Sequence, residues 1–182
     1  MAIKDIVIWP DPILKKIAEP VVDFGDDLQA LIKDICDTMD DQPMAGLSAP
    51  QVGVSKRVFV IDIPPEHNEG NGTNGKEIFV NPEIYFTEGS FSWDEGCMSI
   101  PGYRGKVKRA HNVKMRYQNE RGQHLDREAF YYLGGCFQHE LDHLNGVLWV
   151  DYQGPIKKNF IRKKMLKLKT LPKEERRWRE NS

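Results

Sequence analysis

The stretch His139-Glu140-Leu141-Asp142-His143 does useful chemistry only on a helix. Helical residues four apart lie one above the other on the same face. His139 and His143 can then aim two imidazoles at one metal ion, with Glu140 beside it and free to handle protons. The rest of the chain must bury that helix and bring a third ligand to it, because catalytic sites of this kind take three protein ligands and keep one position open. The bland alternative is a surface helix that happens to carry two histidines.

The usual completions of this motif are missing. A histidine six residues after His143 would make a metzincin, but that position is Trp149. A thermolysin-like site needs a downstream glutamate, and the only ones are Glu174, Glu175 and Glu180 in a basic tail. Cysteine is what remains. Cys136 shares the helix face with both histidines, but Cys136, His139 and His143 would be strung over about 10 Å of helix axis, an awkward spread for one ion. Cys97 comes from a separate segment, with Gly96 beside it to allow close approach, and ranks ahead of Cys136 as the ligand.

Around this core, periodicity predicts helix over 27–41, with Asp26 or Asp27 as N-cap and Leu28, Leu31, Ile32, Ile35 and Met39 as its apolar stripe. Residues 42–53 read as a loop with small residues. Strands are expected at 58–63, 78–80, 84–86, 112–117 and 147–150. The motif helix is expected from about Glu128 to Leu144, stopped by Asn145-Gly146. Gly134 and Gly135 inside it cost about 1 kcal/mol each relative to alanine, so close packing or room for a ligand must require them. A last amphipathic helix carries Phe160, Ile161, Met165 and Leu168 and ends at Pro172.

At 182 residues the chain reads as one domain, with hydrophobic and charged shares ordinary for a globular protein. No apolar run approaches a membrane span, and the N-terminus lacks the features of a signal peptide. Three cysteines without framework spacing suggest a reducing, cytoplasmic setting. Residues 157–182 carry a net charge of +8 and residues 1–156 a net charge of −9. We therefore divide the chain into a catalytic domain, 1–156, and a basic C-terminal helix and tail, 157–182, which suits an anionic partner.

Three motifs stand in order: Met44-Ala45-Gly46-Leu47-Ser48-Ala49-Pro50-Gln51, Glu95-Gly96-Cys97-Met98-Ser99 and Gln138-His139-Glu140-Leu141-Asp142-His143. Together they resemble the peptide deformylase family, over roughly residues 5–155. Met44 stands where that family usually has Gly, Ser48 where it has Ala, and Met98 where it has Leu; Gly134-Gly135 is not a usual pair there. These departures touch the pocket and leave the metal set intact.

The resemblance implies an α+β fold, with mostly antiparallel sheets surrounding the central motif helix and a helix near each end. It implies removal of the formyl group from N-formylmethionyl peptides, releasing formate. Cys97, His139 and His143 would hold one divalent ion. Fe(II) is expected natively, with Zn, Ni or Co as replacements, whereas a Cys/His₂ set by itself suggests zinc. Glu140 would shuttle the proton, and the Gln51 amide and Met98 backbone N–H would face the oxyanion. Gly46, Met44, Gly102, Tyr132, Gly135 and Cys136 are expected around the peptide. Glu95, Arg104 and Asp142 are expected as supports, with Glu95 paired to Arg104. The basic helix could dock on the ribosome; no membrane or DNA partner is expected. The rival readings are a generic metallopeptidase and an inactive, ribosome-associated metal-binding module.

Overall fold

A computed structural model describes residues 3–42, 44–67 and 71–171. Helix α1 (Asp26–Asp41) begins one residue before its expected start, with Gly25 rather than an aspartate as N-cap; Asp26 and Asp27 lie in the first turn, where their charge complements the helix dipole. Strands β1 (Gly46–Ser48) and β2 (Val58–Ile61) follow, then β3 (Glu77–Glu88). Next come β4 (Phe91–Gly96), β5 (Arg104–Arg109), β6 (Asn112–Gln118) and β7 (His124–Phe130). Helix α2 (Tyr131–Leu144) carries the histidines, and α3 (Pro155–Lys169) closes the described chain.

Five strands form one antiparallel sheet in the order β1-β2-β3-β6-β7, and β4 pairs with β5 in a separate hairpin. The fold is α+β, as expected. All four residues of β2 are buried because the strand is covered on both faces. Phe59 and Ile61 join α2 in one cluster, while Val58 and Val60 join α1 in another. Within the first, Phe79 stacks on Phe59 at 4.9 Å and meets Phe137 of α2 edge-on at 4.9 Å. The sheet thus grips one side of α2. Among the described residues, no helix is long and apolar enough to cross a membrane.

Several local expectations change. The two short strands expected around Asn81-Pro82 are one long strand. Asn81 takes a positive φ of 50°, its side chain bonds to the Val21 backbone and to Gln118, and the register shifts between Val80 and Glu83. A bulge absorbs the proline that would otherwise interrupt the ladder. The loop expected at 42–53 contains β1 and a 3-10 turn, Ala49–Val52. Residues 128–130 are strand, not helix, because β7 stays paired with β6 as far as Asn112↔Phe130. The chain then turns sharply into α2. A Cβ at Gly134 would lie 3.0 Å from the Ala129 carbonyl oxygen, which explains that glycine.

The strand expected at 147–150 is also absent. Trp149–Tyr152 is a 3-10 turn, and the Leu148 backbone N–H donates to Asp151 at 2.8 Å. Asp151 also receives Lys15 and Lys158, both at 2.6 Å. The turn seats Trp149 in a third cluster with Ile161, Met165 and Leu168 of α3. Phe160, expected on that apolar face, is 53% exposed and touches Tyr103 instead. Because α3 begins at Pro155, the division at 156/157 falls in its first turn. Pro172 and the rest of the tail lie outside the described residues.

Candidate metal centre

On α2, the rings of His139 and His143 lie 5.0 Å apart. Cys97 comes from the turn after β4, and its Sγ is 3.3 Å from His143 Nε2. The ligand atoms of Cys97, His139 and His143 all lie within 4.8 Å of one another. Cys136 stands outside this group: burial pushes its thiol pKa far up, and it is bonded to the Tyr132 side chain. The geometry therefore favours the cysteine from the separate loop.

The residues present fit a small divalent cation. One thiol and two imidazoles converge, a donor set suited to such ions. His139 Nδ1 shares a hydrogen bond of 2.8 Å with Glu95 Oε2, which leaves Nε2 on the side of Cys97 as the nitrogen for a metal. Burial alone would lower the pKa of His139, yet Cys97 and Glu95 beside it raise it well above the ordinary range. Burial instead pushes His143 well below that range, as a neutral ligand requires.

Glu140 is 4% exposed, and its Oε2 has no hydrogen-bond partner among the described residues. Burial pushes its pKa up to about 7, against the lowering influence of His139 and Ser48. Gly46 is required beside it, since a Cβ there would come within 2.8 Å of Glu140 Oε1. The Gln51 amide is oriented by Ser48: Oε1 accepts from the Ser48 N–H at 2.9 Å and hydroxyl at 2.8 Å. Its NH₂ end is thereby turned toward Cys97 Sγ and Ser99 Oγ, both at 3.4 Å. Ser48 thus touches both polar groups of the site, a role the motif alone did not suggest.

Glu95 does not pair with Arg104. Odd-numbered residues of β4 and β5 face inward, so Glu95 meets Arg109, in bonds of 2.6 and 3.0 Å. Arg104 lies outside and bonds the Asp94 carboxylate and carbonyl. Arg109 also donates to Asp142 at 2.6 Å, and Asp142 accepts from the Tyr152 hydroxyl at 2.8 Å. Burial would raise Glu95, but hydrogen bonds from His139 and Arg109 outweigh it and hold its pKa at about 2. Arg109 was missed from sequence. The available signal was parity, since Gly105, Val107 and Arg109 share the buried face of β5.

A cavity of about 560 Å³ opens beside these groups. Met44, Gly46, Gly102, Tyr132 and Cys136 line it as expected. Gln51, Met98, Glu95 and Arg104 also reach it, while Asp142 stands behind. Gly135 does not line the cavity; the Trp93 ring covers it, and a Cβ there would lie 2.8 Å from that ring. Trp93 itself forms part of the wall.

Comparison with known proteins places the chain in a family. The family model for polypeptide deformylase matches residues 3–159. A peptide deformylase from Alkalilimnicola ehrlichii is 42% identical over 168 residues, covering 92% of each chain. Peptide deformylase 1 from Ralstonia nicotianae is 40% identical, covering 92% of this chain and 96% of its own. The crystal structure of a peptide deformylase from Legionella pneumophila superposes with a TM-score of 0.83 at 40% identity, covering 94% of this chain and all of that one. The Ehrlichia chaffeensis enzyme in complex with actinonin gives a TM-score of 0.87 at 32% identity, covering 94% of this chain and all of that one. On its sequence and on its fold, the chain belongs to the peptide deformylase family.

Proposed function

We propose that this enzyme hydrolyses the formamide of N-formylmethionyl peptides, with Cys97, His139 and His143 as ligands of one divalent cation. The observation that carries the reading is the convergence of the Glu140 carboxylate and the Gln51 NH₂ group on those three side chains beside an open cavity. When bound, the cation supplies Lewis-acid activation of water and carbonyl. Glu140 accepts a proton from the water that adds to the formyl carbon. The carbon–nitrogen bond then breaks, Glu140 returns the proton to the amine, and formate leaves. The Gln51 amide and the Met98 backbone N–H are the donors for the oxyanion. Gly46 and Gly102 present backbone to an extended peptide. Fe(II) is the native ion in this reading, which the resemblance supports; zinc suits the same donors.

The test is formate release from formyl-Met-Ala-Ser against acetyl-Met-Ala-Ser, with anaerobic metal analysis of the same sample. Release from the formyl peptide alone supports the reading. Cleavage of internal peptide bonds would favour the metallopeptidase, and metal binding without turnover of either peptide would favour the inactive module.

The catalytic unit is assigned to residues 1–156, acting in the cytoplasm, with the basic segment 157–182 as a surface for ribosomal RNA. Lys163, Lys164 and Lys167 are exposed on α3, whereas Ile161, Met165 and Leu168 are buried. Deleting the helix would open the core, so charge reversal of those three lysines is the cleaner test. Unchanged salt-dependent ribosome binding in that variant would reject the docking.

A further inference from the structure

Ser48 stands where the family usually has alanine, and its hydroxyl lies between the two polar groups that the reaction uses. Leu47 faces the α1 cluster from β1, and the alternation of the strand turns Gly46 and Ser48 the other way, toward α2. At Gly46 the approach is so close that a Cβ would come within 2.8 Å of Glu140 Oε1. At Ser48 the side chain reaches the Glu140 carboxylate in a hydrogen bond. Glu140 Oε2 has no hydrogen-bond partner among the described residues and is the oxygen left to meet a water. On its other side the same hydroxyl lies 2.8 Å from Gln51 Oε1, which also accepts the Ser48 backbone N–H at 2.9 Å. Ser48 and Gln51 are both buried, and Ser48 does not line the cavity.

We propose that Ser48 is a positioning residue that links the proton carrier to the oxyanion donor: its hydroxyl serves the Glu140 carboxylate before the reaction and turns to the Gln51 amide as Glu140 takes up the proton of the water. The inference rests on the formyl-peptide reading above. A serine hydroxyl has one proton, so it can donate to Glu140 or to Gln51 but not to both. An ionised carboxylate is the stronger acceptor and holds that proton at first. Gln51 Oε1 is then held by the backbone N–H alone. Once Glu140 is protonated its charge is gone, and the amide oxygen becomes the better of two neutral acceptors. The hydroxyl then donates to Gln51 Oε1, which polarises the amide and makes its N–H groups stronger donors. The oxyanion forms in the same step, so the gain is made in the transition state and not in peptide binding. An alanine here would leave Gln51 with the backbone bond alone throughout.

The experiment measures kcat and KM for formyl-Met-Ala-Ser in the metal-loaded wild type, Ser48→Ala, Gln51→Ala and the double variant, with kcat expressed per bound metal. Ser48→Ala is expected to lower kcat about fivefold, the weight of one ordinary hydrogen bond, and to leave KM unchanged. In the Gln51→Ala background the same substitution should have no effect on kcat, because the hydroxyl acts through the amide. An unchanged kcat in Ser48→Ala, or a loss confined to KM, overturns the proposal. So does a loss of the same size with and without Gln51, which would mean that Ser48 acts by packing or on Glu140 alone. Should Ser48→Ala not fold, Ser48→Gly lacks the hydroxyl too and carries the same comparison. A wild type that releases no formate overturns the deformylase reading instead, so the two failures are distinguishable.

Discussion

The two sides of α2 do opposite work. One side sets Leu133, Phe137 and Leu144 against Phe59 and Phe79, with every apolar side chain packed. The other side holds His139, Glu140 and His143 against Glu95 and Arg109, and leaves Glu140 Oε2 and His143 Nδ1 without hydrogen-bond partners among the described residues. Burying unpaired polar atoms costs stability. The apolar side offsets that cost, which is how a helix with two interior glycines can still present a buried polar face. Stability and chemistry are therefore separable by face, and substitutions can test whether they separate.

The largest effect is expected on the polar side. Glu140→Gln should lower turnover roughly 10²–10⁴-fold, the usual weight of a positioned proton carrier, while the protein still binds its metal. Steady-state formate release and metal stoichiometry measure both, and full activity would remove Glu140 from its role. On the apolar side, Phe137→Ala should cost about 3–5 kcal/mol of unfolding free energy by denaturant titration, with metal stoichiometry per folded molecule unchanged. A variant that loses metal at full stability would show that the two faces are not independent.

Arg109→Met lies where the faces are tied to their surroundings. It leaves Glu95 buried without its main partner and loosens the support of His139. Metal affinity should fall roughly 10–100-fold in competition with a chelator. Glu95→Gln added to it should recover part of the loss, because the unpaired charge is gone.

The smallest effect is expected outside α2. Asp151→Asn removes the acceptor shared by Lys15 and Lys158 and should cost about 1 kcal/mol at pH 7. Burial would raise the Asp151 carboxyl, but Lys15, Lys158 and the Leu148 N–H outweigh it and hold its pKa below 3.8. A depressed folded-state pKa stabilises the protein above 3.8 and stops doing so as pH falls through the folded value. The stability gap between wild type and variant should therefore close below about pH 3.8. A gap that persists in acid would mean the aspartate acts by packing or by neutral hydrogen bonds.

Much of the site was legible before the fold. The four-residue spacing of the histidines put them on one helical face, and the missing protease completions directed attention to Cys97. The stripe of α1 predicted four buried residues, Leu28, Ile32, Ile35 and Met39, because helical burial follows a local period; Leu31 is only half-buried, and Thr38 is buried outside the stripe. The partner of Glu95 was not legible in the same way. Arg104 and Arg109 lie on opposite faces of β5, and only the packing of the hairpin against α2 decides which face turns inward. The start of α2 was misplaced for a related reason. Residues 128–130 suit a helix locally, but their ladder with β6 prevails.

By itself the sequence determined the histidine helix and the loop cysteine, which depend on short-range spacing, and carried the motifs whose family resemblance implied the α+β class. Only the tertiary structure decided which arginine holds Glu95, how Ser48 orients Gln51, and why position 135 must be glycine. These depend on which side chains meet across elements distant in sequence, a matter of register and close packing that no local period records.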